Sequence, residues 1–450
     1  MMIRAVALAT SVSLIFAGPA LAQTNVPSGP IDPVISASVA GIDAAHLRAD
    51  DTALVGFGTR SLFSEQTSTA THGVFGARDW IATQFRDIAK GSGGRMTVTL
   101  DTYTAPKTDR TPRDAVSSSV VAVLKGDDPD GRTYVMSSHY DSRNTDNNDG
   151  IHDAPGADDN GSAVSAVIEA ARALAPHQLH ATIIFAAFDG EEQGLYGSDH
   201  YAKLLKTGDV NVQGDLNNDI IGSSHGHDGA YDPNHVRLFS EALPFGADRK
   251  STNARGSEND SPSRELARFI QTTATPYVTG MTIETVYRAD RFLRGGDQES
   301  FTAVGYPAVR FTESHENFDH QHQNVRVENG VQYGDLLQFV DFDYLASVTK
   351  LNVAALAALA LGPGAPRDAE ISTKSLAYDS TLRWAPVAGA TSYEIVWRAT
   401  DAANWEHAKD VGNVTQATVP VIKDDFILGV RAVDAQGHRG VVSVPAPVKF

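Results

Sequence analysis

The sequence predicts an α/β unit built on one sheet with helices on both faces, followed by a small all-β sandwich. Three features carry this. Short apolar runs of strand composition alternate with helical stretches from residue 116 to residue 361, the pattern of a sheet covered on both sides. The segment Gly362-Pro363-Gly364-Ala365-Pro366 then interrupts the pattern with linker composition. Only short β-rich runs follow it, with no helical stretch between them.

Taken in order, the first residues read as a secretory leader. Arg4 supplies the positive start, Ala5 to Ala17 is mostly apolar, and Ala20-Leu21-Ala22 fits the small-x-small cleavage rule. The apolar stretch contains Thr10, Ser11 and Ser13, which makes it too short and too polar to span a bilayer. Residues 1–22 are therefore expected to be removed and the mature chain exported, periplasmic or extracellular. Residues 23–50, bearing Pro and Ser, read as a lead-in to a first domain over 23–361. Strands are expected at 116–126, 133–138, 181–188, within 215–222, and at 307–312. Helices are expected at 162–174, 198–205, 263–273 and 335–361. The apolar end of the last helix, 353–361, follows Asp341, Asp343 and Lys350 and reads as a packed helix with no membrane span. The polar, Gly-bearing stretch 223–263 reads as a surface excursion. In the tail, 367–450, Tyr393, Ile395 and Trp397 alternate with Glu394, Val396 and Arg398, the period of a strand. Further runs at 382–384, 417–421 and 427–433 complete a sandwich. The sequence names no partner for it.

Composition removes several classes of function. The chain has 450 residues, 42% apolar and 20% charged, enough to bury real cores. Its formal charge of −18 repels a phosphate backbone, so nucleic acid is not an expected partner. There is no cysteine, which excludes disulfides, thiol nucleophiles and thiolate metal sites. A metal in this protein must be held by His, Asp and Glu.

Such residues gather at the ends of predicted strands. His139-Tyr140-Asp141 follows TYVMSS, Asp158-Asp159-Asn160 opens a helix, and Glu191-Glu192 follows ATIIFAAFDG. Asp219 lies within LNNDIIG, and His315, His320 and His322 follow PAVRFTE. Ligands of open α/β sheets collect outside the carboxyl ends of strands. Each residue has a bland reading: a surface His, a helix N-cap Asp, a solvated Glu pair. Asp219 is the hardest to dismiss, since a carboxylate in an apolar strand is costly unless paired or metal-bound. Two metal ions about 3.5–4 Å apart need a bridging carboxylate, and each then takes one His and one more acid. His139, Asp159, Glu192, Asp219 and a His near 320 meet that requirement. Glu191 remains free as a general base toward a water held between the metals, whose pKa such ions lower from 15.7 to about 7. Asp141 can reach the second imidazole nitrogen of His139 and fix its tautomer.

At these residues the sequence resembles the secreted double-zinc aminopeptidases of bacteria, the leucyl and S-type family, with glutamate carboxypeptidase II and glutaminyl cyclase as more distant relatives. The motifs are SSHYDS (137–142), PGADDNGSA (155–163), FDGEEQGLYGS (188–198), LNNDIIG (216–222) and GDQESFTAVGYPAVRFTE (296–313). The resemblance covers roughly residues 70–360. It implies a central mixed β-sheet flanked by helices, of zinc exopeptidase type, and two zinc ions as cofactors. It implies removal of N-terminal residues from peptides or proteins. Carried over by motif, His139 and Asp219 bind one zinc, Glu192 and the last His bind the other, and Asp159 bridges them. Glu191 is the general base and Asp141 supports His139. The last His departs from the family pattern of a His followed four residues later by Asp: His320 has Asn324 there, and His322 has Arg326. The Gln321-His322-Gln323 context selects His322 over His320 and His315. The tail resembles a fibronectin type III domain through Trp384, Pro386, Gly389, Tyr393 and Trp397, aromatics expected in its core.

Rival readings use other residues. Gly222-Ser223-Ser224-His225-Gly226 matches a serine-hydrolase elbow, but loop composition follows where that motif needs a helix. A non-catalytic relative would lose ligands or base, and none is missing. A carboxypeptidase or cyclase on the same metals needs a basic group for a substrate carboxylate, which Arg288, Arg291 or Arg294 would have to supply. The DDPDG turn at 127–131 lacks the Glu and spacing of a calcium loop.

Overall fold

The structure is a computed structural model describing residues 29–242 and 258–450. The expected leader, 1–22, lies outside the described residues. The elements are α1 (Pro33–Ala40), α2 (Ala44–Val55), α3 (Gly73–Ala89), β1 (Met96–Ala105), β2 (Ala115–Leu124), β3 (Thr133–His139), α4 (Ala163–Leu174) and β4 (Thr182–Phe188). Next come α5 (Glu191–Gly194), α6 (Tyr196–Thr207), β5 (Val212–Asn218), β6 (His235–Ser240), α7 (Pro262–Ala274) and β7 (Thr282–Val286). Then follow α8 (Gln298–Ala303), β8 (Ala308–Glu313), a small hairpin of β9 (Arg326–Glu328) and β10 (Val331–Tyr333), and α9 (Phe342–Leu361).

One eight-stranded sheet runs β1-β2-β4-β3-β5-β8-β6-β7. The central strands β4, β3, β5 and β8 pair in parallel, while β1/β2, β2/β4 and β6/β8 are antiparallel, so the sheet is mixed. The run at β4 is continuous apolar sequence because both of its faces are covered. One face carries α4 and α9; the other carries α6 and α8 around Phe188, Tyr201 and Phe301. By length and composition α9 alone among the described helices is long and apolar enough to cross a membrane, but most of it is buried against its neighbours. A helix apolar all round belongs in a core.

Several expectations are corrected. The 23–50 stretch is no bare lead-in: α1 and α2 seat Ile35, Val39 and Leu47 in the core, with Asp32 and Asp43 as N-caps. The 223–263 stretch is not wholly an excursion, because β6 joins the sheet beside β8 through the apolar Val236, Leu238 and Phe239. The last helix starts at Phe342, not near 335, because Asp341 caps it through the amides of Asp343 and Tyr344.

After residue 366, β11 (Glu370–Ser372), β12 (Ser380–Arg383), β15 (Gln416–Val419) and β17 (Ala446–Val448) form one small sheet. β13 (Ser392–Ala399), β14 (His407–Gly412) and β16 (Phe426–Val433) form another. They share a core of Leu382, Trp384, Tyr393, Ile395, Val419 and Val430. The alternation in β13 holds for this core, yet the opposite face is not solvent-exposed. Glu394, Val396 and Arg398 are buried too: Val396 packs against Trp405 and Val442, Glu394 pairs with Arg431 and Arg439, and Arg398 pairs with Asp260, just before α7. Gly362 to Gly364 is likewise buried, with Arg132 donating to the Gly362 carbonyl at 2.8 Å.

Candidate metal centre

Parallel strands carry their carboxyl ends to one edge of the sheet, and that edge is where the predicted residues meet. His139 ends β3, Asp219 follows β5, and Glu191 and Glu192 open α5 just after β4. Asp159 lies on the turn of residues Ala157–Ser162 that leads into α4, with a cis bond to Asn160. Two local devices shape this. Gly190, at φ 77°, turns the chain from β4 into α5, a conformation that favours glycine. Gly161 sits where an added Cβ would lie 2.2 Å from Asp51 Oδ1, so only glycine lets the turn press against α2.

The ligand-type atoms form two overlapping triads. His139, Asp159 and Asp219 offer one set of mutually close atoms, and Asp159, Glu192 and His322 the other. His139 Nε2 lies 3.3 Å from Asp159 Oδ1 and 3.5 Å from Asp219 Oδ1. His322 Nε2 lies 2.9 Å from Asp159 Oδ2 and 3.1 Å from Glu192 Oε1. Asp159 therefore turns one oxygen to each triad. His139 Nε2, Glu192 Oε1 and Asp219 Oδ1 are buried without any hydrogen-bond partner. Three carboxylates facing one another with unsatisfied atoms are unfavourable as they stand, and a pair of divalent cations fits this donor set of two imidazoles and three carboxylates.

Charge follows the same geometry. Burial disfavours an ionised Asp159, but His322 and His139 outweigh it and hold its carboxyl well below the usual range. Burial also opposes Asp219, which Arg310 and His139 nevertheless lower. Burial disfavours the His322 imidazolium, yet Glu192 and Asp159 push it up to about 10. Glu191 has the opposite balance: burial, with Glu192 and Asp219 adding, raises its carboxyl well above the ordinary value despite His139.

Asp141 sits apart from the triads. His139 Nδ1 is 3.1 Å from the Asp141 backbone carbonyl and 3.5 Å from its carboxylate. The carboxylate accepts the Glu191 and Glu192 amides at 3.1 and 3.2 Å, capping the first turn of α5. His320 is outside the cluster, stacked on Phe339 at 3.6 Å, and burial lowers its pKa to about 4. His315 pairs with Asp228 on the surface. His322 reaches the cluster from a left-handed backbone position, φ 56°.

Several residues of the site were not singled out in the sequence. Asp335 accepts the amides of Asp158 and Asp159 at 2.7–3.1 Å and shapes the turn from the segment before α9. Asp297 is buried with both oxygens unpartnered, and burial holds it up to about 7. Arg310 pairs with Asp219 at 2.7 Å from the neighbouring strand. A charge inside the apolar run PAVRFT was the available signal, the same signal that marked Asp219. Ser224 is no nucleophile elbow: its hydroxyl donates to Asp341 at 2.6 Å, the cap of α9, and loop follows.

Residues 119–333 match Peptidase family M28. A probable zinc metalloprotease of Leptosphaeria maculans is 47% identical over 92% of this chain and 97% of its own length. One of Pyricularia oryzae is 46% identical over 94% of this chain and 88% of its own length. Both relatives are fungal, whereas the motif resemblance pointed to bacterial enzymes. Among solved structures, the LapA aminopeptidase of Legionella pneumophila superposes with a TM-score of 0.53 at 18% identity, covering 78% of this chain and 77% of that one; at that identity the likeness speaks for the fold.

Proposed function

This chain belongs to peptidase family M28, the zinc metallopeptidases, and from that premise we propose that it is an exported aminopeptidase using two zinc ions. The observation that carries the reading is the pair of triads sharing Asp159, with their orphaned atoms turned toward each other. His139 and Asp219 would hold one ion, Glu192 and His322 the other, and Asp159 both. Zinc at such a site supplies Lewis acidity and a water of lowered pKa.

The protein groups then have separable tasks. Glu191 is the general base: it opens α5 beside Glu192 and belongs to neither triad, so its carboxylate is free to take a proton from the attacking water and return it to the leaving amine. Asp141 fixes the first turn of α5 through two amides, so Glu191 and Glu192 are placed together. Asp335 holds the backbone of the bridging residue. Of the three basic groups a carboxypeptidase would use, Arg291 is committed to acids, Arg288 is exposed, and Arg294 lies 3.4 Å from Gln321 beside His322, so the blocked-amine comparison below decides between the two readings. Arg291 bonds Glu316 at 2.5 Å and Asp290 at 3.1 Å, and Arg288 lies over Phe292 at 3.7 Å.

The test is hydrolysis of leucine p-nitroanilide beside the same compound with a blocked amine, with and without chelator and added zinc. Cleavage of the free-amine substrate alone, lost on chelation and restored by zinc, is expected. Cleavage of the blocked substrate at equal rate, or activity indifferent to chelation, contradicts the proposal.

A further inference from the structure

Arg310 is the least expected charge in the sheet. It sits on β8, paired in register with Asn217 of β5, and its side chain has no exposed surface. A guanidinium removed from water is strongly penalised unless its partners are ionic and well placed. Its partners are specific: Nη2 lies 2.7 Å from Asp219 Oδ2, and Nη1 lies 2.7 Å from Asp290 Oδ2 and 2.6 Å from the Gly295 carbonyl. Asp219 thus has one oxygen in an ion pair with Arg310 at 2.7 Å, without hydrogen-bond alignment, and its other oxygen, Oδ1, stays unpartnered and faces His139 Nε2. Glu192, the corresponding carboxylate of the other triad, has His322 beside it and, among the described residues, no arginine.

We propose that Arg310 is a positioning residue for the metal centre, holding Asp219 by one oxygen so that the other is presented to the ion shared with His139. This rests on the two-metal reading given above. Because Arg310 is fully enclosed and faces the outer oxygen of the ligand, it acts through Asp219 and does not touch substrate. Outer partners that orient a metal ligand typically change affinity by about 10–100-fold when removed, and only one of the two positions has this partner. Arg310 also bonds the 289–297 loop through Asp290 and Gly295, so the loop and ligand are set by one side chain.

The experiment is a competitive zinc titration with a chromophoric chelator on the full chain. The variants are Arg310→Lys, which keeps charge without the fork, and Arg310→Met combined with Asp290→Asn, which removes the buried pair together. Folding of each is checked by circular dichroism. The wild type should take up two zinc ions. In either folded variant one ion should bind about 10–100-fold more weakly, with its uptake midpoint moved to higher pH, while the other keeps wild-type affinity. The lysine variant should lie between the wild type and the double variant. Wild-type affinity at both positions in folded Arg310→Lys overturns the proposal, as does equal weakening of both ions. A wild type that binds no zinc overturns the two-metal reading itself, a distinct result.

Discussion

The strand-end cluster around Asp159 and the seam between α7 and the C-terminal sandwich both bury charged side chains, yet their atoms are satisfied differently. At the seam, Asp260 Oδ1 takes Arg268 at 2.9 Å and also Arg398 from β13. Glu265 takes Arg268 on one oxygen and the Trp405 indole N–H on the other, at 2.9 Å. Arg268 further donates to the Ala403 carbonyl at 2.8 Å. Each acid here is matched to a cation within the protein, although Arg398 Nε has no hydrogen-bond partner. In the strand-end cluster the carboxylates outnumber the cations, and His139 Nε2, Glu192 Oε1 and Asp219 Oδ1 have no partner. Matched buried charge is architecture; unmatched buried charge aimed at a common point is a site that takes its cations from outside.

The largest expected effect separates chemistry from architecture. Glu191→Gln should lower kcat by about 10²–10⁴-fold with zinc content and melting temperature near wild type, read by steady-state kinetics and metal analysis. Loss of zinc with the activity would make Glu191 a ligand and erase its distinction from Glu192. Next, Asp260→Ala should destabilise the whole chain by about 3–5 kcal/mol, because it leaves the buried Arg398 guanidinium without its acid and removes one of the two acids on Arg268. Urea unfolding measures this, and activity per folded molecule should persist. An unchanged midpoint would mean the seam contributes nothing and the sandwich is loosely attached.

A pH series sharpens the contrast. Burial raises Asp158 to about 7, with Asp335 adding, and raises Asp335 to about 6; His322 stands at about 10. Each folded value lies above the ordinary one, so each contribution is complete below the unfolded pKa and is lost as pH rises through the folded pKa. The metal-free protein should therefore lose stability from about pH 4, the unfolded value of the two acids, to about pH 10, read by scanning fluorimetry. Zinc replaces the His322 proton, so the zinc-loaded protein should lose less. Glu265 at the seam, raised to about 7 by burial, has the same sign in both forms, so the difference between the two curves belongs to the strand-end cluster. Identical curves would contradict that. The smallest effect is His320→Ala: loss of its stacking on Phe339 should cost about 0.5–1.5 kcal/mol and leave zinc content unchanged, whereas His322→Ala should release an ion.

What the sequence disclosed follows from how local each signal is. Apolar runs at 181–188 and 133–138 stand between turn residues, and the structure has strands there; the ligand-type residues cluster because they terminate those strands. His322 was separable from His320 only through motif context, since spacing alone does not place a left-handed turn. Asp335 and Arg310 act across long sequence separations on Asp159 and Asp219, and nothing adjacent to them announces the partner. β6 was hidden inside a polar stretch because only Val236, Leu238 and Phe239 of His235–Ser240 are apolar, too few to stand out from it. The polar residues of β13 looked solvent-facing because period two reports one buried face; the second face is buried by Trp405, Val442 and Arg439 and by Asp260, more than a hundred residues away.

The most direct test is the zinc content of the purified protein after dialysis against dilute zinc, measured by inductively coupled plasma mass spectrometry. Two zinc ions per chain, falling when Asp159 is changed to Asn, is the predicted result. One ion or none in the folded wild type would contradict a centre built on two triads that share one carboxylate.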